Sequence, residues 1–291
     1  MSKENLIYID GSYYPKSEAK ISVYDHGFLY GDGVFEGIRV YEGYVFKLDE
    51  HLKRLYDSAR SISLHIPISR AEFKEAVLET VRKNGFHDSY LRVVVSRGYG
   101  DLGLNPQKCP KPSIIIIADH LPPLYDGISV TAVVAATRRN CPDALDPMIK
   151  SMNYLNNILA KIEANHAGVH EAIMLNQNGT ICEGTSDNIF IVKNGELVTP
   201  PLSDGALDGI TRRTVIQLAR EMKIPVDERS VTVHELLSAD EALLTGTAAE
   251  IGPLVEVNHQ RIGEGEQRPM TLKLIEAFKK IRKTGTPVYE R

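Results

Sequence analysis

The chain has 291 residues, of which 43% are hydrophobic and 25% charged, and 34 Lys and Arg against 38 Asp and Glu leave a net charge of −4. That is an ordinary globular composition, and it excludes a disordered, collagen-like or coiled-coil chain. The mild acidity offers no general field for nucleic acid or an anionic membrane, and the length allows one large domain or two of ordinary size.

Residues 1–10 show no basic-then-apolar signal pattern, which favours a cytoplasmic reading. Leu6-Ile7-Tyr8-Ile9 ahead of Asp10-Gly11 predicts a hairpin. Residues 38–41 and 44–48 flank Glu42-Gly43 as a second one. Asp49 is placed to cap a helix carrying Leu52, Leu55, Tyr56, Ala59 and Ile62 on one face. Ser69 and Glu72 form a capping box ahead of Phe73, Val77, Leu78 and Val81, and Gly85 suits the helix end. Residues 90–96 and 113–119 read as strands.

Two prolines and a glycine within residues 121–127 mark a linker. The expected division is a small domain over 1–120, a linker over 121–128 and a larger domain over 129–291. The larger domain opens on a β-branched run, 128–134, followed by a helix from Asn153 to about Asn165. Residues 171–175 and 188–192 read as strands, with turns at Asn178-Gly179 and Asn194-Gly195. Residues 211–222 form a helix with Val215, Leu218, Ala219 and Met222 on one face. Residues 269–282 form a basic amphipathic helix. Strands and helices mix without regular alternation, so the fold class is mixed α/β (α+β).

Several familiar motifs fail. Gly98-Tyr-Gly-Asp-Leu-Gly103 matches the dinucleotide-binding spacing, but Leu104-Asn105-Pro106 follows where a helix must begin. It reads as a structural or substrate-facing loop. His166 and His170 are separated by Gly168 and lack a carboxylate to complete a metal site. Cys109, Cys141 and Cys182 are odd in number and widely spaced, which disfavours a disulfide framework or a zinc site. Ser17 and Lys20 match a serine–lysine spacing by chance, and no serine nucleophile elbow is present.

Four segments share a theme: an anion cradle around a reactive amine. Lys150 precedes Tyr154 by four residues, which could set amine and phenol on one side of a helix start. Glu183 precedes a small-residue turn and then an apolar strand. Asp208-Gly-Ile-Thr211-Arg turns straight into a helix, so free N–H groups and a hydroxyl would face one point, a phosphate site by geometry and dipole. Thr245-Gly-Thr247-Ala-Ala-Glu is a hydroxyl-rich strand end that permits close backbone approach. Taken singly, these are equally a solvent lysine, a turn acid, an ordinary cap and a tight packing site.

Together and in this order, the four segments resemble the fold-type-IV pyridoxal-phosphate enzymes, most closely the branched-chain amino-acid aminotransferases, over nearly the whole chain. Tyr30-Gly-Asp-Gly-Val-Phe35-Glu-Gly37-Ile-Arg39 resembles the family's substrate-pocket strand, and His51-Leu-Lys-Arg54-Leu its phosphate arginine. Tyr90-Leu-Arg92 with Gly103-Leu-Asn-Pro106 resembles the segment that shapes the pocket near the substrate carboxylate.

The resemblance implies a two-domain fold-type-IV architecture and pyridoxal 5′-phosphate as cofactor. Lys150 would bind the cofactor covalently and carry the transferred proton as base and then acid. Tyr154 would donate to the cofactor's ring oxygen, and Glu183 would keep the pyridine nitrogen protonated. Arg54, the amides at Ile210 and Thr211, and Thr247 would hold the phosphate. Tyr30, Phe35, Gly37, Tyr90 and the Thr247-Ala248-Ala249 backbone would line the substrate pocket. Tyr90 and the Ala248 and Ala249 amides would meet a carboxylate, with Arg39, Arg92 and Arg97 as available counter-charges. No role requires a metal, and the family's pocket implies a homodimer as the minimal unit.

The implied activity moves the amino group of branched-chain L-amino acids to 2-oxoglutarate. D-amino-acid and amine transaminases and aminodeoxychorismate lyase would share the cofactor residues. Ser96-Arg97-Gly98, a feature also of D-amino-acid and lyase relatives, leaves room for relaxed specificity. A non-catalytic anion- or nucleotide-binding protein would use the Gly-Ile-Thr helix end and give Lys150 no role.

Overall fold

The computed structural model describes residues 4–265 and 267–289. In chain order the elements are β1 (Leu6–Ile9), β2 (Ser12–Pro15), α1 (His26–Tyr30), β3 (Gly33–Tyr41), β4 (Tyr44–Val45), α2 (Leu48–Ser61), α3 (Arg70–Asn84), β5 (Ser89–Ser96) and β6 (Ser113–Asp119). They continue as β7 (Val130–Val134), α4 (Leu155–His166), β8 (Glu171–Leu175), β9 (Ile181–Glu183), β10 (Asn188–Lys193), β11 (Glu196–Thr199), α5 (Ile210–Glu221) and β12 (Val226–Glu228). The last are α6 (Val233–Leu237), β13 (Glu241–Gly246), β14 (Glu250–Val257), β15 (Gln260–Arg261), α7 (Pro269–Ile281) and β16 (Thr286–Pro287).

The chain divides into two units. Unit 1 comprises the described residues up to Pro122, the segment Ile149–Asn153, and those from Arg282 onward; unit 2 comprises Pro123–Met148 and Tyr154–Ile281. The first division falls inside the expected linker. Residues 149–153 and those after 281, expected in the second domain, belong instead with unit 1.

Unit 1 is built on an antiparallel sheet in the order β16-β4-β3-β5-β6-β1-β2. Its two expected hairpins turn through Asp10-Gly11 and Glu42-Gly43, where all four residues have positive φ. That is the turn whose twist matches the flanking strands. One face of the sheet carries Val34, Ile38, Val40, Leu91, Val93 and Val95 against Leu52 and Leu55 of α2 and Phe73, Val77 and Val81 of α3. The capping box of Ser69 and Glu72 is formed, and Gly85 ends α3 at φ 70°. Asp49 does not cap α2. The helix already begins at Leu48, its cap position is Lys47 at φ 51°, and Asp49 sits in the first turn, where its charge favours the helix dipole. The expected strand over 44–48 shrinks to two residues because α2 starts there.

Unit 2 is built on a sheet in the order β12-β11-β10-β13-β14-β7-β8-β9, with β15 paired to β14. The β11–β12, β14–β7 and β7–β8 pairs are parallel. Ile173, Ile189, Ile191, Leu244 and Leu254 form its core with Leu236 of α6. Helix α4 packs Ala160 and Ala164 against Ala172 and Met174. Helix α5 buries Val215, Leu218 and Ala219, but Met222 lies past its last turn and is exposed, so the expected apolar face ends one turn earlier. Helix α7 buries Leu274 and Phe278. The architecture is the expected mixed α/β class. Among the described residues, no helix is long and apolar enough to cross a membrane, and no group of His, Cys, Asp and Glu could hold a metal.

Candidate functional site

The expected residues fall into two sets, one in each unit. In unit 1 the organising element is β3. Its pairing with β5 sets Phe35 opposite Val94, Gly37 opposite Arg92 and Arg39 opposite Tyr90, so these six share one face of the sheet. Val34, Glu36 and Ile38 point the other way, into the core. The guanidinium of Arg92 lies 4.5 Å from the centre of the Phe35 ring and 5.8 Å from that of Tyr90. A side chain at Gly37 would meet the Tyr90 hydroxyl at 2.0 Å, so glycine is what lets the phenol lie across the strand.

Lys150 joins this set through its backbone. Phe35 N–H donates to the Lys150 carbonyl at 3.0 Å, Met152 N–H donates to the Gly33 carbonyl at 2.9 Å, and Val34 bridges Ser151. Residues 150–152 therefore run as a strand-like extension beside β3. The Lys150 ammonium lies 4.7 Å from the centre of the Phe35 ring. The expected helix start at Asn153 is not found: α4 begins at Leu155, with Tyr154 at its cap position. The helical four-residue relation between Lys150 and Tyr154 is thus absent, because β3 takes the Lys150 carbonyl and the Met152 N–H, and Ser58 Oγ takes the Lys150 N–H.

Arg54 lies on α2 and grips Glu36 with both arms, Nε to Oε1 at 2.7 Å and Nη2 to Oε2 at 2.8 Å. His51 Nδ1 meets Glu36 Oε2 at 2.8 Å. Burial alone would raise the Glu36 pKa, but Arg54 and His51 hold it well below the usual carboxylate range. Burial lowers that of His51 despite the adjacent carboxylate, and because a carboxylate oxygen only accepts, Nδ1 is the donor in this contact.

Tyr30 ends α1, and its hydroxyl accepts from Gly103 N–H at 3.0 Å. His26 Nε2 meets the Asp101 carbonyl at 2.9 Å. The glycine-rich segment 98–103 is therefore a loop fastened to α1, and only a short 3₁₀ turn, Pro106–Lys108, follows it. Arg39 donates to the Leu121 carbonyl at 2.8 Å. Arg97 is committed elsewhere: it forms a two-armed pair with Asp32 at 2.9 Å and donates to the Ile62 and Ser63 carbonyls at the end of α2. Four bonds leave it a fastening role, contrary to its expected place among the substrate counter-charges.

In unit 2 the centre is Glu183 at the end of β9. Arg139 Nε donates to Oε1 at 2.9 Å; Asn188 Nδ2 at 3.2 Å and Leu207 N–H at 3.0 Å donate to Oε2. Both acid and arginine are buried. A carboxylate offers about four acceptor positions, so three donors orient it and leave capacity for one more. Arg139 and Asn188 are members of this set that the motifs do not reveal.

Asn188 ties this acid to α5. Its Oδ1 lies where a side chain at Gly209 would be, 1.9 Å from the added carbon. Gly209 is the cap residue of α5, and no side chain caps the helix, although Ile210 and Thr211 are both buried. A buried helix start without a side-chain cap leaves its N–H groups to water or to an anion, and the helix dipole favours the anion. Asn188 also pairs with Thr245 across β10 and β13. The β13–β14 connection is the three-residue turn Thr247-Ala248-Ala249, and the Ala248 carbonyl accepts from Leu124 N–H at 2.9 Å.

A pair of buried acids, Asp187 and Glu171, stands beside that turn. The Tyr125 hydroxyl lies 3.0 Å from Asp187 Oδ2 and 3.3 Å from Glu171 Oε2. Asp187 Oδ1 has no partner, and a side chain at Gly246 would meet it at 2.2 Å. Burial, and then the charge of Glu171, push the Asp187 carboxyl up to about 7.

Known proteins share both the sequence pattern and the architecture. The amino-transferase class IV family matches residues 33–257. A relative from Methanocaldococcus jannaschii is 52% identical over 285 residues, covering 98% of this chain and 99% of its own. The crystal structure of a branched-chain aminotransferase from Thermoproteus uzoniensis with norvaline superposes with a TM-score of 0.93 at 41% identity, covering 98% of this chain and 99% of that one. The branched-chain amino acid aminotransferase of Thermobaculum terrenum, in its PLP-bound holo-form, gives a TM-score of 0.90 at 29% identity, covering 100% of both chains.

Proposed function

Because this chain belongs to the class IV aminotransferases, we propose that it moves the amino group of branched-chain L-amino acids to 2-oxoglutarate, giving branched 2-oxo acids and glutamate. It is a transaminase that depends on pyridoxal 5′-phosphate. The observation that carries the substrate reading is the Lys150 amine held by backbone bonds to β3 against the Phe35 ring. A reactive amine is thereby set against an apolar wall suited to an aliphatic side chain.

The residues of this chain fit the cofactor. The buried, uncapped start of α5 offers N–H groups to a phosphate, and Glu183 keeps one acceptor position for a ring N–H. When bound, pyridoxal phosphate supplies the electron sink for the substrate carbanion. Lys150 would hold the cofactor through a covalent bond; once the substrate amine has displaced it, its freed amine would be the group that takes the proton from the substrate Cα and returns it on the other side of the transfer. Glu183, braced by Arg139 and Asn188, would hold the proton on the pyridine nitrogen. On this proposal Arg54 of unit 1 and, from unit 2, the Ile210 and Thr211 amides and Thr247 would hold the phosphate, and Tyr154 would donate to the ring oxygen. On this proposal Phe35, Gly37, Tyr30 and Tyr90 of unit 1 and the Thr247-Ala248-Ala249 turn of unit 2 would each line the substrate pocket, with Arg39 beside Tyr90 and Arg92 across Phe35.

The same proposal includes a homodimer as the working unit and a cytoplasmic setting, where the free thiols of Cys109, Cys141 and Cys182 are stable. The deciding experiment is a transamination panel with 2-oxoglutarate as acceptor and both enantiomers of branched, aromatic and small amino acids. Turnover concentrated on L-leucine, L-isoleucine and L-valine is expected, and its absence overturns the substrate class. Lys150→Ala is expected to abolish turnover in the same panel. Full turnover by that variant would remove Lys150 from the reaction.

A further inference from the structure

Glu36 is an anomaly in the packing of unit 1. It sits on the core face of β3 between Val34 and Ile38, opposite Val93, and is fully buried. A buried ion pair stabilises a fold no better, on average, than apolar residues of the same volume, because both charges lose their water. Stability alone therefore gives no reason for a carboxylate here. Its geometry does. The two-armed contact with Arg54 fixes both the direction and the plane of the guanidinium. His51, three residues earlier on the same helix, fixes the carboxylate in turn through Oε2. The side-chain exposures run 0% for Glu36, 1% for His51 and 11% for Arg54, so the set opens outward only at its arginine.

We propose that Glu36 and His51 are positioning residues for the cofactor phosphate, acting through Arg54. The inference rests on the reading of Arg54 as a phosphate ligand. It carries a sign that simple electrostatics does not. The negative charge of Glu36 repels a phosphate, so removing it should tighten binding if charge were all that mattered. If Glu36 works by holding the fork, removing it weakens binding instead. Gln at this place turns an N–H toward the arginine N–H groups and breaks one arm. Asn in place of His51 keeps an N–H donor near the position of Nδ1, whereas Ala does not.

The test titrates apoprotein with pyridoxal phosphate and, separately, with pyridoxal, following absorbance and intrinsic fluorescence, with thermal unfolding of each apoprotein recorded alongside. Glu36→Gln is expected to weaken pyridoxal phosphate binding about tenfold or more while leaving pyridoxal binding unchanged. His51→Ala is expected to do the same to a smaller extent, and His51→Asn to restore wild-type affinity. In the Arg54→Ala background, Glu36→Gln should cause no further loss. Unchanged or tighter phosphate-dependent binding in Glu36→Gln overturns the proposal. So does an equal loss for pyridoxal, or a full loss that persists without Arg54. Should Glu36→Gln fail to fold, the His51→Ala and His51→Asn pair decides: equal affinity for the two overturns it. If Arg54→Ala alone leaves affinity unchanged, the reading of Arg54 fails first, and that result is distinguishable from the others.

Discussion

Each unit pairs one expected residue with an unforeseen partner in an arginine–glutamate contact, Arg54 with Glu36 and Glu183 with Arg139, and the two pairs have opposite polarity. In unit 1 the acid is sealed beneath and Arg54 is the outer member, gripped by both arms. In unit 2 Arg139 makes a single bond to its acid, and neutral donors from Asn188 and Leu207 complete the surroundings of Glu183. The first arrangement presents a cation of fixed plane, suited to a phosphate. The second presents a carboxylate with one acceptor position in hand, suited to a ring N–H. The same ion pair thus serves an anion or a cation, depending on which member is braced from behind.

Four substitutions test that contrast, beginning with the largest effect. Glu183→Gln is expected to lower the rate of Cα deprotonation by about 10²–10³-fold while cofactor affinity moves much less. Single-turnover absorbance with Cα-deuterated substrate reads this directly, and an unchanged rate would mean that ring protonation is controlled elsewhere. Arg54→Ala inverts the pattern. Cofactor affinity should drop about 10–100-fold, and most of the turnover should return at saturating cofactor. Gly37→Ala acts on the opposite face of β3 from Glu36. Its new carbon displaces the Tyr90 hydroxyl, so the KM for amino acid should rise roughly tenfold with cofactor affinity unchanged. A KM equal to wild type would place Tyr90 outside the substrate pocket.

The smallest effect concerns an acid pair without an arginine. Asp187 has a folded pKa of about 7, above its unfolded value, so the folded state holds the proton more tightly. Stability is therefore lost as pH rises from about 4 through about 7. Asp187→Asn should flatten that slope. Thermal melts at pH 5 and pH 8 with the same slope in both proteins would show that Asp187 shares no such proton.

Much of the fold is legible along the chain. Asp10-Gly11 and Glu42-Gly43 specify their turns within two residues, and Ser69 with Glu72 specifies a cap within four. Such features depend on neighbours. Arg139 is invisible in the sequence because its partner Glu183 lies 44 residues away and only sheet pairing brings them together. Arg97 looks available for the same reason: Asp32, which occupies it, is 65 residues distant. Lys150 reads as lying near a helix start because its local sequence carries no record of β3, whose backbone takes up its own. Asn188 reads only as the start of a strand, since nothing nearby tells that its amide braces an acid and its oxygen crowds a glycine.

The alternation of the chain between units has a consequence for synthesis. Unit 1 is begun first, yet it recruits Ile149–Asn153 after the first stretch of unit 2 and residues from Arg282 after the last. Strand β4 gains β16 on its outer edge only once all of unit 2 has been made. A growing chain that folded its first 122 residues and stopped would hold a sheet with an open edge and without Lys150. The order of completion therefore reverses the order of translation, and severing the gene at the linker cannot yield two self-sufficient halves.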